Sequence, residues 1–219
     1  MESRHNMVRN QVRIVGMEDE KILSAMMEIH REEFVHKKHK LVAYSDSELL
    51  IDQERLIARP EMIARFLESA KITDFDIVLE VGCGTGYASH IISRIAKEVV
   101  AIDNCKNIIS RAKNLSNIDN LHFQYSSFKK IKIPENTSLI LVNGAIFDKR
   151  ADMSVIYDQA DLFNFHSAML IDELLIQMPG NCRLFCVEGY YKYHPMSIVR
   201  YFKGERTVLE QVYFPEINL

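Results

Sequence analysis

The stretch Ile77–Tyr87, IVLEVGCGTGY, decides the fold of this chain of 219 residues. An apolar run passes through Glu80 into a loop whose glycines are spaced G-x-G-x-G: Gly82, Gly84 and Gly86. The pattern predicts a strand, a glycine-rich turn and a helix over about 87–97, in which the backbone approaches a ligand closely. A dinucleotide-binding loop would have the spacing G-x-G-x-x-G, so a nicotinamide oxidoreductase is disfavoured.

A second apolar run, EVVAID, ends in Asp103, which follows Glu80 by 23 residues. An acid at the end of the second strand suits hydrogen bonding to ribose hydroxyls, which indicates a nucleoside cofactor. The loop with this acid resembles the S-adenosylmethionine (SAM) loop of class I methyltransferases. The ligands that this resemblance implies are Glu80, Gly82, Cys83, Gly84, Thr85, Gly86, Asp103 and Asn104. A purely structural turn is the alternative, and the agreement of loop, acid and flanking patterns outweighs it.

Length and composition favour a globular protein of one domain. The length predicts a single domain over 1–219, with a helical, substrate-side segment over 1–70 and a SAM-binding core over 71–219. A net charge of −3 gives no field that would attract nucleic acid. No apolar run is long enough to span a membrane, and the polar N-terminus lacks the apolar core of a secretion signal. Four cysteines without the spacing of a zinc site indicate a reducing cytoplasm and no metal.

The flanking patterns predict an α/β fold. Asp19 is expected to cap a helix whose apolar stripe faces inward: Ile22, Leu23, Met26 and Ile29. Pro60 is expected to open a second helix as its first residue. Strands alternating with helices as far as 187 predict a doubly wound, mostly parallel, Rossmann-like sheet. Apolar and polar residues alternate over 196–219 on either side of Lys203-Gly204-Glu205, which predicts an antiparallel hairpin.

Several short motifs in a shared order resemble the protein-L-isoaspartate O-methyltransferase family. They are Asn6-Met7-Val8, Ala25 to Val35, Ala43-Tyr44-x-Asp46, the EVGCGTGY loop, and Leu170 to Leu174 followed by Pro179-Gly180. The resemblance implies methyl transfer from SAM to the α-carboxyl of L-isoaspartyl residues, which starts the repair of damaged proteins. It also implies protein or peptide substrates, and we expect the chain to act as a monomer.

The chain departs from the family pattern at four places. Ala58 stands where the family has an active-site serine, and Ser127 stands where the family has an acid that faces adenine. Ser138 replaces the aspartate that usually begins the fourth strand, and 146–169 is longer than the family's spacing. The lost serine is shared with a variant branch that resembles alphaproteobacterial proteins. Ser127 joins the expected cofactor ligands, since its hydroxyl suits the adenine amine.

No catalytic residue is assigned, because alanine has neither a donor nor an acceptor in its side chain. Arg59 is the candidate for holding a substrate carboxylate, and the alternative is a solvated arginine at a helix start. The basic run 36–40 is expected to be a solvated loop rather than a substrate contact. Two other functions stay open at this point: a SAM-dependent methyltransferase with another acceptor, and a non-catalytic SAM-binding module.

Overall fold

The computed structural model describes residues 2–52, 55–127, 131–147, 170–189 and 196–212. The chain divides into two compact units, residues 1–126 and 127–219. The boundary between these two units falls after Ser126. The expectation of a single domain with a separate 1–70 segment stays a prediction.

The first unit begins with helical segments. Helix α1 spans Glu2–Met7 and continues through a π-helical turn, Val8–Val12, and a 3-10 turn, Arg13–Val15. Helix α2 spans Glu20–Glu28 and is capped by Asp19, whose carboxylate accepts from the amides of residues 21 and 22. The predicted cap is confirmed. The predicted apolar stripe is also confirmed, because its four side chains are buried: Ile22, Leu23, Met26 and Ile29.

Short elements connect α2 to the glycine loop. Two 3-10 turns, Arg31–Glu33 and Lys37–Val42, precede the antiparallel strands β1, Leu49–Leu50, and β2, Leu56–Ile57. The basic run 36–40, expected in a loop, enters the second of these turns and is largely exposed. Helix α3, Pro60–Ala70, starts at Pro60 as predicted, because proline has no amide hydrogen to leave unpaired in a first turn.

Three parallel strands form the sheet of the first unit, in the order β5-β4-β3. They are β3 (Ile77–Val81), β4 (Glu98–Asp103) and β5 (Leu121–Tyr125), and helices α4 (Tyr87–Ser93) and α5 (Lys106–Leu115) connect them. Helix α4 is shorter than the predicted 87–97. The helix ends at Ser93. The amide of Lys97 then donates to the carbonyl of Asp76, and this hydrogen bond places the chain at the start of β4.

The second unit contains β6 (Leu139–Phe147), helix α6 over 170–177, β7 (Arg183–Gly189), β8 (Met196–Phe202) and β9 (Glu205–Val212). β6 and β7 are parallel, and β7, β8 and β9 follow as antiparallel neighbours. β6 begins at Leu139. It continues to Phe147 with a register shift between Leu141 and Ala145. The mostly parallel α/β class with N-terminal helices and a C-terminal hairpin is confirmed, while 148–169 lies outside the described residues.

The hairpin has the turn chemistry that its strands require. Lys203 and Gly204 connect β8 to β9 with φ of 51° and 80°. Two successive positive φ angles give a turn whose twist matches that of the flanking strands. Among the described residues, no helix has the length and apolar character needed to cross a membrane.

We expect loss of the α2 cap to destabilise the fold. Asp19→Ala removes the acceptor of two helix amides, at 2.9 Å and 3.3 Å, and should cost about 0.5–2 kcal/mol of unfolding free energy. Urea unfolding measures this change. Asp19→Asn keeps an acceptor oxygen and should stay close to the wild type. Equal losses in the two variants would contradict the capping role.

Candidate functional site

The glycine loop joins β3 to α4 in a conformation that only glycine adopts freely. Gly82, Gly84 and Gly86 have φ of 81°, 54° and 91°. A Cβ at Gly86 would lie 2.5 Å from Cζ of the buried Phe123. A Cβ at Gly84 would lie 3.1 Å from Cδ1 of Ile51. The spacing G-x-G-x-G thus reflects both a backbone requirement and a steric one.

Four amide donors of the loop, those of residues 82, 83, 84 and 86, are used by the chain itself. The amides of Gly82 and Cys83 donate to the carbonyl of Ile102, at 2.9 Å and 3.1 Å. The amide of Gly86 donates to the carbonyl of Cys83 at 2.9 Å. A phosphate-binding loop would instead direct such amides at the anion. The arrangement therefore favours a cofactor without phosphates at this position.

Asp103 lies at the carboxyl end of β4, where the parallel pairing places it beside the glycine loop. Its Oδ2 accepts from the amide of Gly84 at 3.1 Å. Its Oδ1 accepts from the amide of Cys105 at 2.9 Å and from Nη1 of Arg55 at 2.5 Å. The residue is only 3% exposed. The structure thus brings together the predicted loop and the predicted acid.

Arg55 is a site residue that sequence reasoning missed. Besides Asp103, its guanidinium donates from Nη2 to Oδ1 of Asn104 at 2.9 Å. Burial acts to lower the pKa of Arg55, but the charge of Asp103 and its hydrogen bond raise the pKa on balance. The one sequence signal was an arginine immediately before β2, and nothing in its spacing pointed to Asp103, which lies 48 residues away.

Glu80 and Thr85 hold the loop to neighbouring elements. The buried carboxylate of Glu80 accepts from the hydroxyl of Ser89 on α4. The hydroxyl of Thr85 donates to the carbonyl of Phe34 at 2.6 Å. These polar groups fix the strand, the loop and the 31–35 segment in one arrangement, since a buried polar group requires a partner.

The remaining predicted ligands differ in exposure. Cys83 is buried, and burial together with the charges of Glu80 and Asp103 raises its pKa, so it packs as a neutral thiol. Asn104 is exposed at the end of β4. Ser127 is exposed and begins the second unit. In the described ranges, no group of three or more His, Cys, Asp or Glu side chains is placed to hold a metal ion.

Ala58, the position of the family's serine, is fixed through its backbone. The buried Arg31 donates from Nη2 to the carbonyl of Ala58 at 2.8 Å and from Nε to the carbonyl of Ala43 at 2.9 Å. Its guanidinium carbon lies 5.0 Å from the ring centroid of Tyr87. Burial lowers the pKa of Arg31, while the nearby Tyr87 offsets part of this effect. The backbone at 58 is therefore held whatever side chain it carries.

Arg59, the candidate for holding a carboxylate, is already beside one. Its Nη2 lies 3.4 Å from Oε1 of Glu61, and the two side chains are only 16% and 17% exposed. Its charge also opposes the effect of burial, which raises the pKa of Glu48. Arg59 is thus an ion-paired, largely buried side chain, and a substrate carboxylate would have to compete for it.

Comparison with known proteins identifies the family. Residues 2–144 match the family model of protein-L-isoaspartate(D-aspartate) O-methyltransferase. The chain belongs to the protein-L-isoaspartate O-methyltransferase family. The predicted resemblance is confirmed.

Two curated members of the family give the extent of the similarity. Protein-L-isoaspartate O-methyltransferase of Koribacter versatilis is 35% identical over 130 residues, 59% of this chain and 55% of that protein. The protein of the same name from Methanoculleus marisnigri is 37% identical over 110 residues, 50% of each chain. The chain therefore spans about half the length of the curated relatives that it matches.

Solved structures of the same family share the fold. One protein-L-isoaspartate O-methyltransferase superposes with a TM-score of 0.70 and 20% identity, over 97% of this chain and 64% of that one. A β-aspartate methyltransferase from Plasmodium falciparum, in complex with S-adenosyl-L-homocysteine, superposes with a TM-score of 0.67 and 15% identity, over 96% of each chain. At these identities the similarity shows the class I methyltransferase fold.

We expect Gly86→Ala to destabilise the first unit. The left-handed φ and the collision with Phe123 together should cost about 2–5 kcal/mol of unfolding free energy. Gly180→Ala, where a Cβ would meet nothing within 4 Å, is the matched control and should be near neutral.

The steric part of this cost is testable separately. In a double-mutant cycle with Phe123→Leu, the two losses should sum to more than the loss of the double variant, because the smaller side chain relieves the collision. Additive losses would contradict the steric origin.

Proposed function

We propose that the chain is a SAM-dependent methyltransferase whose acceptor is the α-carboxyl of L-isoaspartyl residues in damaged proteins. The observation that carries the proposal is the buried Asp103 carboxylate, bound to the Gly84 amide at the end of β4. Membership of the isoaspartyl methyltransferase family supports the same activity. The Plasmodium neighbour, which was solved with S-adenosyl-L-homocysteine, is a further indication of the cofactor.

The residues present fit SAM by their chemistry. Asp103 supplies a carboxylate for ribose hydroxyls, and the positive φ angles of Gly82, Gly84 and Gly86 form the tight turn beside it. Four of the loop amides donate within the chain, which suits a cofactor without phosphates. The full proposed set of ligands is Glu80, Gly82, Cys83, Gly84, Thr85, Gly86, Asp103, Asn104 and Ser127. When bound, the cofactor supplies an electrophilic methyl group on its sulfonium.

Methylation of a carboxylate requires little acid–base chemistry of the protein. The acceptor is already ionised at neutral pH, so no general base is needed to activate it. The protein has to exclude water and hold the carboxylate oxygen in line with the methyl group, and this positioning supplies much of the rate enhancement. The lack of an assigned acid or base is therefore consistent with the proposed reaction.

A second candidate is methyl transfer to a different acceptor. It is favoured by Ala58, which presents no hydroxyl, and by the pairing of Arg59 with Glu61. Both features weaken the handling of a substrate carboxylate and leave the cofactor loop unchanged. A non-catalytic SAM-binding module would share these features.

We further infer protein or peptide substrates and a monomer that works in the cytoplasm. The net charge of −3 supports a partner other than nucleic acid.

Calorimetric titration with SAM and S-adenosylhomocysteine, followed by methyl transfer to an isoaspartyl peptide in the same sample, tests the proposal. Binding followed by transfer is the expected result. Binding without transfer would overturn the isoaspartyl acceptor and favour the second candidate or a binding module. A failure of both ligands to bind would overturn the cofactor.

Restoring the family's hydroxyl should raise activity toward an isoaspartyl peptide. Ala58→Ser adds a donor for the acceptor carboxylate, while Arg31 still binds the backbone carbonyl at 58. A hydrogen bond to a charged group would raise kcat/KM by about 10- to 100-fold. Ala58→Cys, of similar size but with a weak donor, is the control. Equal activities of the two variants would place the acceptor away from residue 58.

A further inference from the structure

Arg55 holds both polar side chains at the end of β4. Its two terminal nitrogens donate to Asp103 at 2.5 Å and to Asn104 at 2.9 Å. Asp103 and Asn104 are both among the proposed cofactor ligands. The guanidinium therefore occupies an acceptor position of Asp103 to which a ribose hydroxyl could otherwise donate.

The acceptor capacity of Asp103 is nearly filled. A carboxylate has about four lone-pair sites. Oδ1 accepts from Arg55 and from the Cys105 amide, and Oδ2 accepts from the Gly84 amide. One site is left for a ligand, whereas the adjacent hydroxyls of a ribose are two donors. If both hydroxyls donate to Asp103, one of its three donors in this structure has to leave the carboxylate.

Arg55 is the donor that can leave. The Gly84 and Cys105 donors are backbone amides, fixed by the glycine loop and by the start of α5. The Arg55 donor ends a long side chain that is 29% exposed, against 4% for the side chain of Asp103. The displaced guanidinium can therefore be hydrated by solvent, while the buried carboxylate stays in place.

Ile51, whose amide pairs with the backbone of Arg55, lies against the glycine loop. The amide of Ile51 donates to the carbonyl of Arg55 at 2.9 Å, and the Ile51 carbonyl accepts from Nη1 of Arg111 at 3.0 Å. Cδ1 of Ile51 stands 3.1 Å from where a Cβ of Gly84 would be. Ile51 and Arg55 therefore contact the two parts of the site that a nucleoside would contact, the glycine loop and the acid.

We propose that Arg55 is an ionic latch on Asp103, which the ribose hydroxyls of the cofactor displace on binding. The proposal rests on the proposed function for the identity of the ligand. The latch lowers cofactor affinity, because the binding-competent state is the one in which Arg55 has left the carboxylate. It also keeps the buried acid paired when no cofactor is bound.

Titration of S-adenosylhomocysteine into the wild type and Arg55→Met tests the latch. Arg55→Met should bind roughly 3- to 30-fold more tightly, because no ion pair has to open first. Arg55→Lys keeps the charge but cannot bridge Asp103 and Asn104 as a fork, so its affinity should be intermediate. Arg13→Met, which removes the exposed pair with Glu20, is the matched control and should bind like the wild type.

Salt dependence separates a latch from a general effect on the fold. Salt weakens the partly exposed pair, so the wild type should bind S-adenosylhomocysteine more tightly as salt rises, while Arg55→Met should not. Thermal unfolding confirms that each variant is folded. If Arg55→Met does not fold, Arg55→Lys and the salt series of the wild type give the same answer.

The outcomes distinguish the latch from the proposed function. Tighter binding by Arg55→Met than by the wild type supports both. Equal binding overturns the latch and leaves the cofactor in place. Weaker binding makes Arg55 a direct cofactor ligand and also overturns the latch. If neither the wild type nor any variant binds S-adenosylhomocysteine, the cofactor and the latch are overturned together.

Discussion

The carboxylate of Asp103 is the group on which the candidate site depends. It is 3% exposed, and a buried charge is stable only with hydrogen-bonding partners. Its partners come from three segments: the glycine loop at Gly84, the start of α5 at Cys105, and the residue before β2, Arg55. The parallel pairing of β3 with β4 brings the first two together, and the third adds an element far away in sequence. One anion thus fixes the relative positions of loop, helix and connecting segment.

A buried cation, Arg31, has the complementary role in the same unit. It donates to the carbonyls of Ala43 and Ala58 and lies against the ring of Tyr87, which begins α4. Because these partners are backbone carbonyls and an aromatic face, the arrangement at residue 58 does not depend on its side chain. Arg31 therefore holds the backbone at residue 58 with alanine in the position where the family has serine.

Local patterns predicted the parts of the site that lie close together in sequence. The glycine spacing and the acid at the end of β4 follow from continuous apolar runs and from short-range turn chemistry, so Gly84 and Asp103 were found. The contacts of Thr85 with Phe34 and of Arg55 with Asp103 join residues 51 and 48 positions apart, and no local pattern encodes them. The early end of α4 was missed for the same reason. The amide of Lys97 donates to the carbonyl of Asp76, which precedes β3, and no local pattern encodes this contact.

The departure at Ala58 changes how an acceptor carboxylate can be recognised. A serine hydroxyl is neutral and binds an anion without first giving up a charged partner. The cation directly after Ala58, Arg59, is already paired with the carboxylate of Glu61. A negatively charged acceptor would therefore have to exchange ion pairs instead of forming a new one. Such an exchange contributes little net free energy, because one desolvated pair replaces another. Selectivity for a carboxylate would then depend on shape and on backbone donors more than on charge.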